Sequence, residues 1–400
     1  MAALLLAIIY LAFISLGLPD SLLGSAWPVM HQDLGAPLSA MGIVTMIISA
    51  GTIVSSLAPD FLTRKFGTGV VTAVSVLMTA AAMLGFSFAS SFWMLLLIAV
   101  PYGLGAGGVD AALNNYVALH YKSRHMSWLH CFWGVGALVS PFIMGACLTG
   151  PSGWEGGYRV TSYVQIGLTA LLFFSLPLWK KPQAAEVRAK PITLPQTLRL
   201  KGVAFLLIAF FAYSALEATS MYWASSYFAG YKGASAELAA MLGSLFYIGL
   251  TAGRLLSGFV SEKLGDRILI RIGAGVIAVG LVLLALPLGT SAAVAGFLII
   301  GFGCAPVYPS IIHATPANFG AENSQSVIGV EMAFAYLGTT FMPPLFGVLA
   351  QYVSLAWLPL WLGAFLVLLF VMTELCNRAV DRAHGINNRG TSLQNSSHSE

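Results

Sequence analysis

The stretch 101-PYGLGAGGVDAALNNYVALHY-121 decides the fold, because it places a carboxylate and amides inside a long apolar segment. Gly103, Gly107, Asp110 and Asn114 follow one another at spacings of 4, 3 and 4 residues, so they share one face of an α-helix. Glycines on such a face let a neighbouring membrane helix approach closely. A carboxylate in a spanning helix costs about 2.5–3.5 kcal/mol, so it normally faces protein or water. The stretch therefore predicts a helix that borders an internal polar site, although simple pairing between helices would also account for these polar groups.

The whole chain is too apolar for a water-soluble protein. Of its 400 residues 58% are hydrophobic and 8% are charged, and the mean hydropathy is +0.83. A spanning helix needs about 20 apolar residues. Twelve such segments are centred near positions 16, 48, 79, 106, 137, 169, 215, 249, 278, 304, 338 and 364. Barrel strands would alternate with period two, so we predict an all-α polytopic protein with twelve transmembrane helices in the lipid bilayer.

The basic residues predict the orientation of these helices. With the N-terminus placed inside, sixteen of the nineteen Lys and Arg residues fall in loops on the inner side, whereas Arg159 and Lys232 lie outside and Arg254 lies within a helix. We therefore expect a multi-pass protein of the plasma (inner) membrane with both termini in the cytoplasm. The net charge of +4 reflects this bias and does not predict a nucleic-acid partner. The first apolar run lacks a basic start and is expected to be a spanning helix rather than a signal peptide.

The two halves of the chain share glycine and proline patterns. The matching sets are Gly136, Pro141 and Gly145 with Gly338, Pro343 and Gly347, and Gly103 and Gly105 with Gly301 and Gly303. This alignment sets Asp110 opposite Tyr308 and Asn115 opposite His313. Six helices per half make the repeat parallel, with substrate expected near the midplane between the halves and access alternating by rocking.

The domain boundaries follow from this repeat. We expect a first six-helix bundle over 1–179, a basic, proline-containing cytoplasmic linker over 180–201 and a second bundle over 202–379. The polar residues 380–400 are expected to be a disordered cytoplasmic tail.

Other spans carry polar and aromatic groups like those of the opening stretch. In the first segment Gly17, Asp20, Gly24 and Trp27 are spaced 3, 4 and 3 residues apart and are expected to form a single stripe. The further candidates are His130 and Trp133 in the fifth segment, Glu217 and Trp223 in the seventh, Tyr308 and His313 in the tenth, and Glu331 in the eleventh.

A turn motif in the second half resembles a known family. Gly258, Glu262, Lys263, Gly265 and Arg267 are similar to the loop signature G-x-x-x-D/E-R/K-x-G-x-R/K of the major facilitator superfamily. That resemblance implies a twelve-helix carrier whose turn residues take part in gating.

The counterpart turn in the first half departs from this signature, because Arg64, followed by Lys65, stands where the family has an acid. We group both basic residues with Glu262, Lys263 and Arg267 as gating candidates. Arg254, a few residues before the second turn, is grouped with them and is expected to extend toward the turn or to pair with a turn carboxylate.

Five features resemble one branch of that superfamily, the fucose/proton symporters and related sugar carriers. They are the acid in the first segment, the G-x-G-x-x-x-x-acid-x-A-x-N pattern of the fourth, Tyr-x-x-x-Glu in the seventh, GRLLSG in the eighth and Tyr-Pro in the tenth. The resemblance implies that the functional carboxylates are Asp20 and Asp110. The family acid in the fourth helix is a glutamate, so the aspartate here has a shorter reach.

A sugar needs paired hydrogen-bonding groups and a flat apolar surface, and small-molecule pockets combine a few polar groups with aromatic rings. The expected solute-binding set is Asp20, Trp27, Asp110, Asn114, Asn115, His130, Trp133, Glu217, Trp223, Tyr308 and His313. His130 has the alternative role of pairing with Asp110. Because a desolvated carboxylate crosses the membrane at least cost in its protonated form, Asp110, Asp20 and Glu331 are the candidates for proton coupling. Sodium remains an alternative coupling ion.

Other functions are possible but less well supported. Proton-coupled drug efflux would favour G-x-x-x-G-P-x-x-G-G in the fifth segment, and GALVSPFIMG keeps only part of it. A receptor or scaffold has no need of repeated glycine and acid stripes. An enzyme is not expected, because no nucleophile set or phosphate loop appears. The four cysteines lack metal-ligand spacing, so we expect no metal, no cofactor and no disulfide, in a carrier that works as a monomer.

Overall fold

The computed structural model describes residues 2–37, 40–148, 150–179, 192–234, 239, 242–243 and 245–396, and no strand occurs in these ranges. The first half contains α1 (Ala2–Asp20), α2 (Leu22–Asp33), α3 (Met41–Ser56), α4 (Pro59–Phe66), α5 (Thr68–Phe86), α6 (Phe92–His120), α7 (Ser123–Leu148) and α8 (Gly153–Ser175). The second half contains α9 (Leu194–Arg199), α10 (Val203–Gly230), α11 (Leu245–Leu264), α12 (Asp266–Ala285), α13 (Gly289–Cys304), α14 (Val307–Phe319), α15 (Ala321–Tyr352) and α16 (Leu358–Ser396).

These helices confirm the prediction of an all-α polytopic protein. Within the described ranges ten helical stretches are long and apolar enough to cross a membrane, and α3 is a shorter apolar helix. The segment predicted near position 249 forms α11, which carries Arg254 and Glu262 and is therefore less apolar. Together they correspond to the twelve segments expected from the sequence.

The first span is broken at Ser21, and this break divides the stripe that the sequence predicts. Pro19 lacks an N–H group and weakens the helical hydrogen bonding just before the break. A β-carbon added to Gly17 would meet the Trp133 carbonyl oxygen of α7, whereas nothing lies within 4 Å of one added to Gly24. The positions of the predicted stripe therefore differ in packing, since Gly17 contacts α7 closely and Gly24 does not.

Equivalent glycines make equivalent helix contacts in the two halves. A β-carbon added to Gly103 of α6 would meet the Ile48 carbonyl oxygen of α3. One added to Gly301 of α13 would meet the Phe246 carbonyl oxygen of α11. Both positions therefore require glycine for close backbone approach, and the fourth span packs on the second as the tenth packs on the eighth.

The fifth and eleventh spans repeat this relationship. A β-carbon added to Gly136 of α7 would meet the Ile14 carbonyl oxygen of α1, and one added to Gly338 of α15 would lie 2.6 Å from the Phe211 carbonyl oxygen of α10. The helix pairs α7 with α1 and α15 with α10 are thus packed in the same way. The packing supports the internal duplication inferred from glycine spacing.

The two turns with basic residues have the same backbone shape. Gly67 precedes α5 with φ of 83° and ψ of 151°, and Gly265 precedes α12 with φ of 76° and ψ of 160°. A positive φ favours glycine because it has no β-carbon. The turns thus match although one carries Arg64 where the other carries Glu262.

The linker and the tail differ in how much the structure describes. Residues 180–191 of the predicted linker lie outside the described residues, and α9 follows them. The last helix, α16, ends at Ser396 and so extends into residues 380–400, for which the sequence predicts a disordered tail. Asp381 and Glu374 of α16 pair with Arg267 and Arg271 of α12 at 2.9 and 2.7 Å.

We call α1–α8 the first bundle and α10–α16 the second bundle. The bundles meet where α7 packs on α11, α3 on α15, and α6 on α14 and α15. The end that carries Arg64, Lys122, Arg124, Glu262 and Asp266 is called the basic end, and the opposite end is called the distal end. The polar residues singled out from the sequence lie on the helices of this interface.

Candidate functional site

Asp20 ends α1 and faces the second bundle. Its side chain is exposed although it belongs to a membrane span. Trp133 Nε1 of α7 donates a hydrogen bond to Asp20 Oδ2 at 2.8 Å, and Tyr102 Oη of α6 donates to Oδ1 at 3.5 Å. Asp20 also interacts electrostatically with Tyr222 of α10, which belongs to the second bundle. The carboxylate is therefore accessible at the interface and does not point into lipid.

Asp110 of α6 is buried, with 6% of its surface exposed. Asn114 Nδ2 donates to Asp110 Oδ1 at 2.7 Å, and Tyr336 Oη of α15 donates to Oδ2 at 3.0 Å. Since the Asn114 amide nitrogen faces Asp110, its oxygen accepts from His130 Nε2 at 3.2 Å. The charges of Asp20 and Asp110 interact. The structure thus brings these four sequence candidates and Trp133 into one region.

His130 lies against aromatic rings of the second bundle. Its ring centroid is 4.6 Å from that of Tyr308, edge to face, and Phe210 packs on the other side of Tyr308 at 4.7 Å. The Tyr308 hydroxyl donates to Met332 Sδ at 3.1 Å. His130 and Tyr308 therefore join the two bundles through ring packing rather than through an ion pair.

Arg254 corrects an expectation from the sequence. Instead of extending toward the basic turn, it is buried and its Nη2 donates to Glu217 Oε1 of α10 at 3.0 Å. Its guanidinium carbon lies 5.4 Å from the Trp133 ring centroid, and Nη1 is 3.5 Å from the His130 carbonyl oxygen. Arg254 stays at this depth because Glu217 supplies a carboxylate beside it, and a buried charge needs a partner. Arg254 is therefore an interface residue and not part of the gate at the turn.

Asn115 also has a role different from the expected solute contact. Its Nδ2 donates to Gln325 Oε1 at 2.9 Å, and its Oδ1 accepts from Ser324 Oγ at 2.6 Å. Gln325 Nε2 in turn donates to the Ala111 carbonyl oxygen at 3.2 Å. These residues are buried and belong to α6 and α15. We call Asn115, Ser324, Gln325 and the Ala111 carbonyl the amide latch, which joins the bundles on the basic side of Asp110.

The basic end carries further contacts between the bundles. Glu262 of α11 accepts from Lys122 Nζ and Arg124 Nε, each at 3.0 Å. Arg64 Nη2 of α4 donates to the Glu322 carbonyl oxygen of α15 at 2.7 Å. Ser123 Oγ donates to Asp266 Oδ1 at 2.7 Å. These contacts hold the bundles together at this end.

Three other gating candidates are arranged differently. Lys65 Nζ lies 5.2 Å from the ring centroid of Phe66 on its own helix, and the Lys263 side chain is exposed. Arg267 pairs with Asp381 within the second bundle. The contacts of Lys65 and Arg267 each lie within one bundle, so the links between the bundles at the two turns are made by Arg64 and Glu262.

Three residues expected to bind solute are engaged elsewhere. Trp27 is 2% exposed and packs in the first bundle against Phe92. His313 Nδ1 lies 2.7 Å from Asp266 Oδ2 at the basic end. Trp223 Nε1 donates to the Pro343 carbonyl oxygen at 2.9 Å. Each of these contacts lies within one bundle, and the assignment of the three residues to solute binding stays a prediction.

Sequence reasoning missed Tyr222 and Tyr102. Tyr222 is 61% exposed and lies close enough to Asp20 for an electrostatic interaction, whereas its neighbour Trp223 packs within the second bundle. Adjacent helical residues point about 100° apart, so Trp223 and Tyr222 have different surroundings, and selecting Trp223 from the sequence left Tyr222 out of the predicted site. Five residues along an α-helix turn a side chain by about 140°, so the spacing from Glu217 gave no signal that Tyr222 belongs to this site.

Glu331 is fully buried in the second bundle, with 0% exposure. Thr315 Oγ1 of α14 donates to Glu331 Oε1 at 2.8 Å, and Oε2 has no hydrogen-bond partner among the described residues. Both Glu331 and its donor Thr315 belong to the second bundle. Glu331 is thus separate from the cluster formed by Asp20 and Asp110.

Two similar helical bundles that meet at an interface containing carboxylates are typical of a membrane transport protein. The sequence profile of the Major Facilitator Superfamily matches residues 9–233 and 205–392, and the chain belongs to this superfamily. The resemblance stated from the turn motif is therefore confirmed.

Individual relatives share 25% or less of their sequence with this chain in the matches described next. The chain is 25% identical over 365 residues to an uncharacterized MFS-type transporter of Yersinia pestis, covering 86% of this chain and 89% of that protein. It is 25% identical over 281 residues to the hexuronate transporter of Bacillus subtilis, covering 64% of each. Among solved structures, FucP, the E. coli fucose:proton symporter, in its outward conformation has a TM-score of 0.78 at 13% identity, covering 93% of this chain and 98% of that chain. That structural likeness supports the fold.

Proposed function

We propose that this superfamily member is a secondary active transporter that moves a sugar together with a proton. The observation that carries the proposal is the pairing of Asp20 and Asp110 at one interface, each with hydroxyl, indole or amide donors around it. FucP is a fucose:proton symporter and the Bacillus subtilis relative is a hexuronate transporter, so carriers of similar sequence or fold move sugars or sugar acids. The chain's own residues supply the more specific argument.

Asp20 is the acceptor for solute hydroxyl groups. It is exposed at the interface, and its hydrogen bonds with Trp133 and Tyr102 fix the orientation of its two oxygens. A carboxylate accepts several hydrogen bonds, so it can bind neighbouring hydroxyls of a sugar. Tyr222 supplies a ring from the opposite bundle for the C–H face of the solute.

Asp110 is the proton carrier in this proposal. In its ionised form it accepts from Asn114 and from Tyr336, which belongs to the second bundle. When the halves close and water leaves, the charged form becomes expensive and the protonated form crosses at lower cost. Protonation also changes the bond with Tyr336, which couples the proton to the relative position of the bundles.

Alternating access follows from the contacts at the basic end. In this proposal the basic end lies in the cytoplasm with both termini, as its excess of Lys and Arg favours, and the protein lies in the plasma membrane. The amide latch and Glu262 close this end, while Asp20 remains exposed. The structure therefore represents an outward-accessible state, and transport requires these contacts to break.

A transport assay tests the proposal. Purified protein in liposomes is given radiolabelled hexoses under an inward proton gradient, an inward sodium gradient or no gradient. Hexose accumulation driven by the proton gradient supports the proposal. Accumulation driven by the sodium gradient alone would identify sodium as the coupling ion. If no hexose raises the thermal stability or enters the liposomes, while hydrophobic cations stabilise the protein, sugar symport is wrong and drug efflux takes its place.

A further inference from the structure

The charges at the bundle interface affect which sugars can bind there. Asp20, Asp110 and Glu217 contribute three carboxylates to this region, and Arg254 contributes one guanidinium. A solute carboxylate would add another negative charge among them. It would need a cation as partner, because an unpaired charge is costly away from bulk water.

Arg254 is already occupied. Its Nη2 donates to Glu217 Oε1 at 3.0 Å, and its Nη1 lies 3.5 Å from the His130 carbonyl oxygen. One face of the guanidinium lies against Trp133, whose indole N–H holds Asp20. Nε has no acceptor among the described residues. Arg254 therefore has spare donor capacity, but its charge is neutralised.

Glu217 is the more accessible member of this pair. Its side chain is 14% exposed, against 4% for Arg254. Glu217 therefore occupies the guanidinium that a solute carboxylate would need as its partner.

We propose that Glu217 is a specificity-determining residue that makes this carrier accept neutral hexoses and reject the matching hexuronates. The inference rests on the proposed function. A hexuronate differs from its hexose only in having a carboxylate in place of the C6 hydroxymethyl group. Because Glu217 occupies Arg254, this carboxylate meets Asp20 and Asp110 without a compensating cation. The Bacillus subtilis relative carries the name hexuronate transporter, so the inference separates this chain from that relative.

The test compares sugars that differ only at C6. D-glucose is paired with D-glucuronate and D-galactose with D-galacturonate, and binding to full-length protein is measured by thermal shift and by isothermal titration. At least one hexose is expected to bind the wild type at least tenfold more tightly than its uronate. Glu217→Gln leaves Arg254 charged and unpaired, so the variant is expected to gain affinity for the uronate by at least tenfold.

Two further variants separate this role from a structural one. The double variant Glu217→Gln/Arg254→Gln has neither charge and is expected to lose the gained uronate affinity. Glu374→Gln breaks a similar Arg–Glu pair, with Arg271, inside the second bundle and is expected to leave the hexose preference unchanged.

Each result has a defined consequence. If the wild type binds a uronate as tightly as its hexose, the inference is overturned while sugar transport stands, and this comparison requires no variant to fold. If a folded Glu217→Gln protein keeps the wild-type preference, Glu217 does not determine specificity. If neither class of sugar binds the wild type or Glu217→Gln, the proposed sugar function fails and the inference fails with it.

Discussion

Tyr336 of α15 donates a hydrogen bond to Asp110 of α6 at 3.0 Å, so a hydroxyl of the second bundle holds a carboxylate of the first. This bond places the proposed proton carrier on the boundary that must rearrange during transport. A proton on Asp110 adds an O–H donor and removes a charge, which changes the interaction with Tyr336. Chemistry at one side chain can in this way bias the relative position of two bundles.

Asp110→Asn is predicted to abolish accumulation of solute against its gradient while preserving counterflow exchange. The amide keeps the size of the carboxylate but cannot take up and release the proton. Liposomes with and without a proton gradient measure accumulation, and preloaded liposomes measure exchange. Unchanged uphill uptake would rule out Asp110 as the carrier.

Tyr336→Phe is the companion to that variant. It removes one hydrogen bond to a charged group, which contributes about 1.5–3 kcal/mol, so transport rates are expected to change by about 10- to 150-fold. Uphill accumulation should persist because Asp110 can still be protonated. Complete loss of coupling in a folded Tyr336→Phe protein would transfer the central role to the tyrosine.

Asp20→Asn is predicted to weaken solute binding more than Trp133→Phe does. The first change removes the charge that accepts solute hydroxyls, whereas the second removes only the N–H group that orients it. We expect at least a tenfold rise in Kd for Asp20→Asn and a smaller rise for Trp133→Phe, measured by titration calorimetry with the hexose that the wild type binds. Equal affinity of Asp20→Asn and wild type would contradict the assignment.

Asn115→Ala is predicted to open the basic end more often. The change leaves buried groups of Ser324 and Gln325 without their partner, at a cost of about 1–3 kcal/mol to the closed state. Spin labels at Lys65 and Lys263, both exposed and on opposite bundles, report the separation. A larger population of long distances is expected. No change in the distance distribution would show that the amide latch does not set this equilibrium.

The control for the latch is another amide near the same end. Asn323 Nδ2 donates to the Phe319 carbonyl oxygen within the second bundle. Asn323→Ala therefore removes a local hydrogen bond without touching the first bundle. The label distances are expected to match those of the wild type.

Glu262→Gln is predicted to have a smaller effect than Asn115→Ala, and the effect should fade as salt is added. The ion pairs of Glu262 with Lys122 and Arg124 are partly exposed, and salt screens such interactions. The same label distances, measured at low and high sodium chloride, check this. A large effect that persists at high salt would show that the ionic contacts, rather than the buried amides, close this end.

Gly103→Ala and Gly301→Ala are predicted to lower thermal stability by similar amounts. In each case the new β-carbon meets a backbone carbonyl oxygen of the neighbouring span, and overpacking of this kind costs about 1–3 kcal/mol. Gly167→Ala is the control, because nothing lies within 4 Å of its added β-carbon. Melting temperatures in detergent measure the effect. Equal melting temperatures for all three variants would show that close packing at these glycines is not needed.

The fold was predictable because its signals are local or repeated. Long apolar runs define spans regardless of what they contact, and the matched positions of Gly103 and Gly301 reveal the duplication. Recognising the two halves from the sequence required no knowledge of tertiary contacts. The twelve spans and the superfamily could therefore be predicted from the sequence.

The site was predictable only in part, because side-chain direction depends on helix rotation and on partners far along the chain. Asn114 and Asn115 are adjacent, yet one binds Asp110 and the other binds Gln325. Arg254 was placed at the turn because its partner Glu217 lies 37 residues away on another helix. No spacing rule within one helix identifies such a pair.

The contact of Arg64 with the Glu322 carbonyl oxygen has a consequence for how this turn can diverge. The acceptor is a main-chain atom, so residue 322 can be exchanged freely without deleting it. In the other half the acceptor is a side chain, and a single codon change at position 262 removes it. The first turn thus supplies a donor, Arg64, whose partner is independent of sequence, whereas the second supplies an acceptor, Glu262, whose partners are the side chains of Lys122 and Arg124 and must be kept as well.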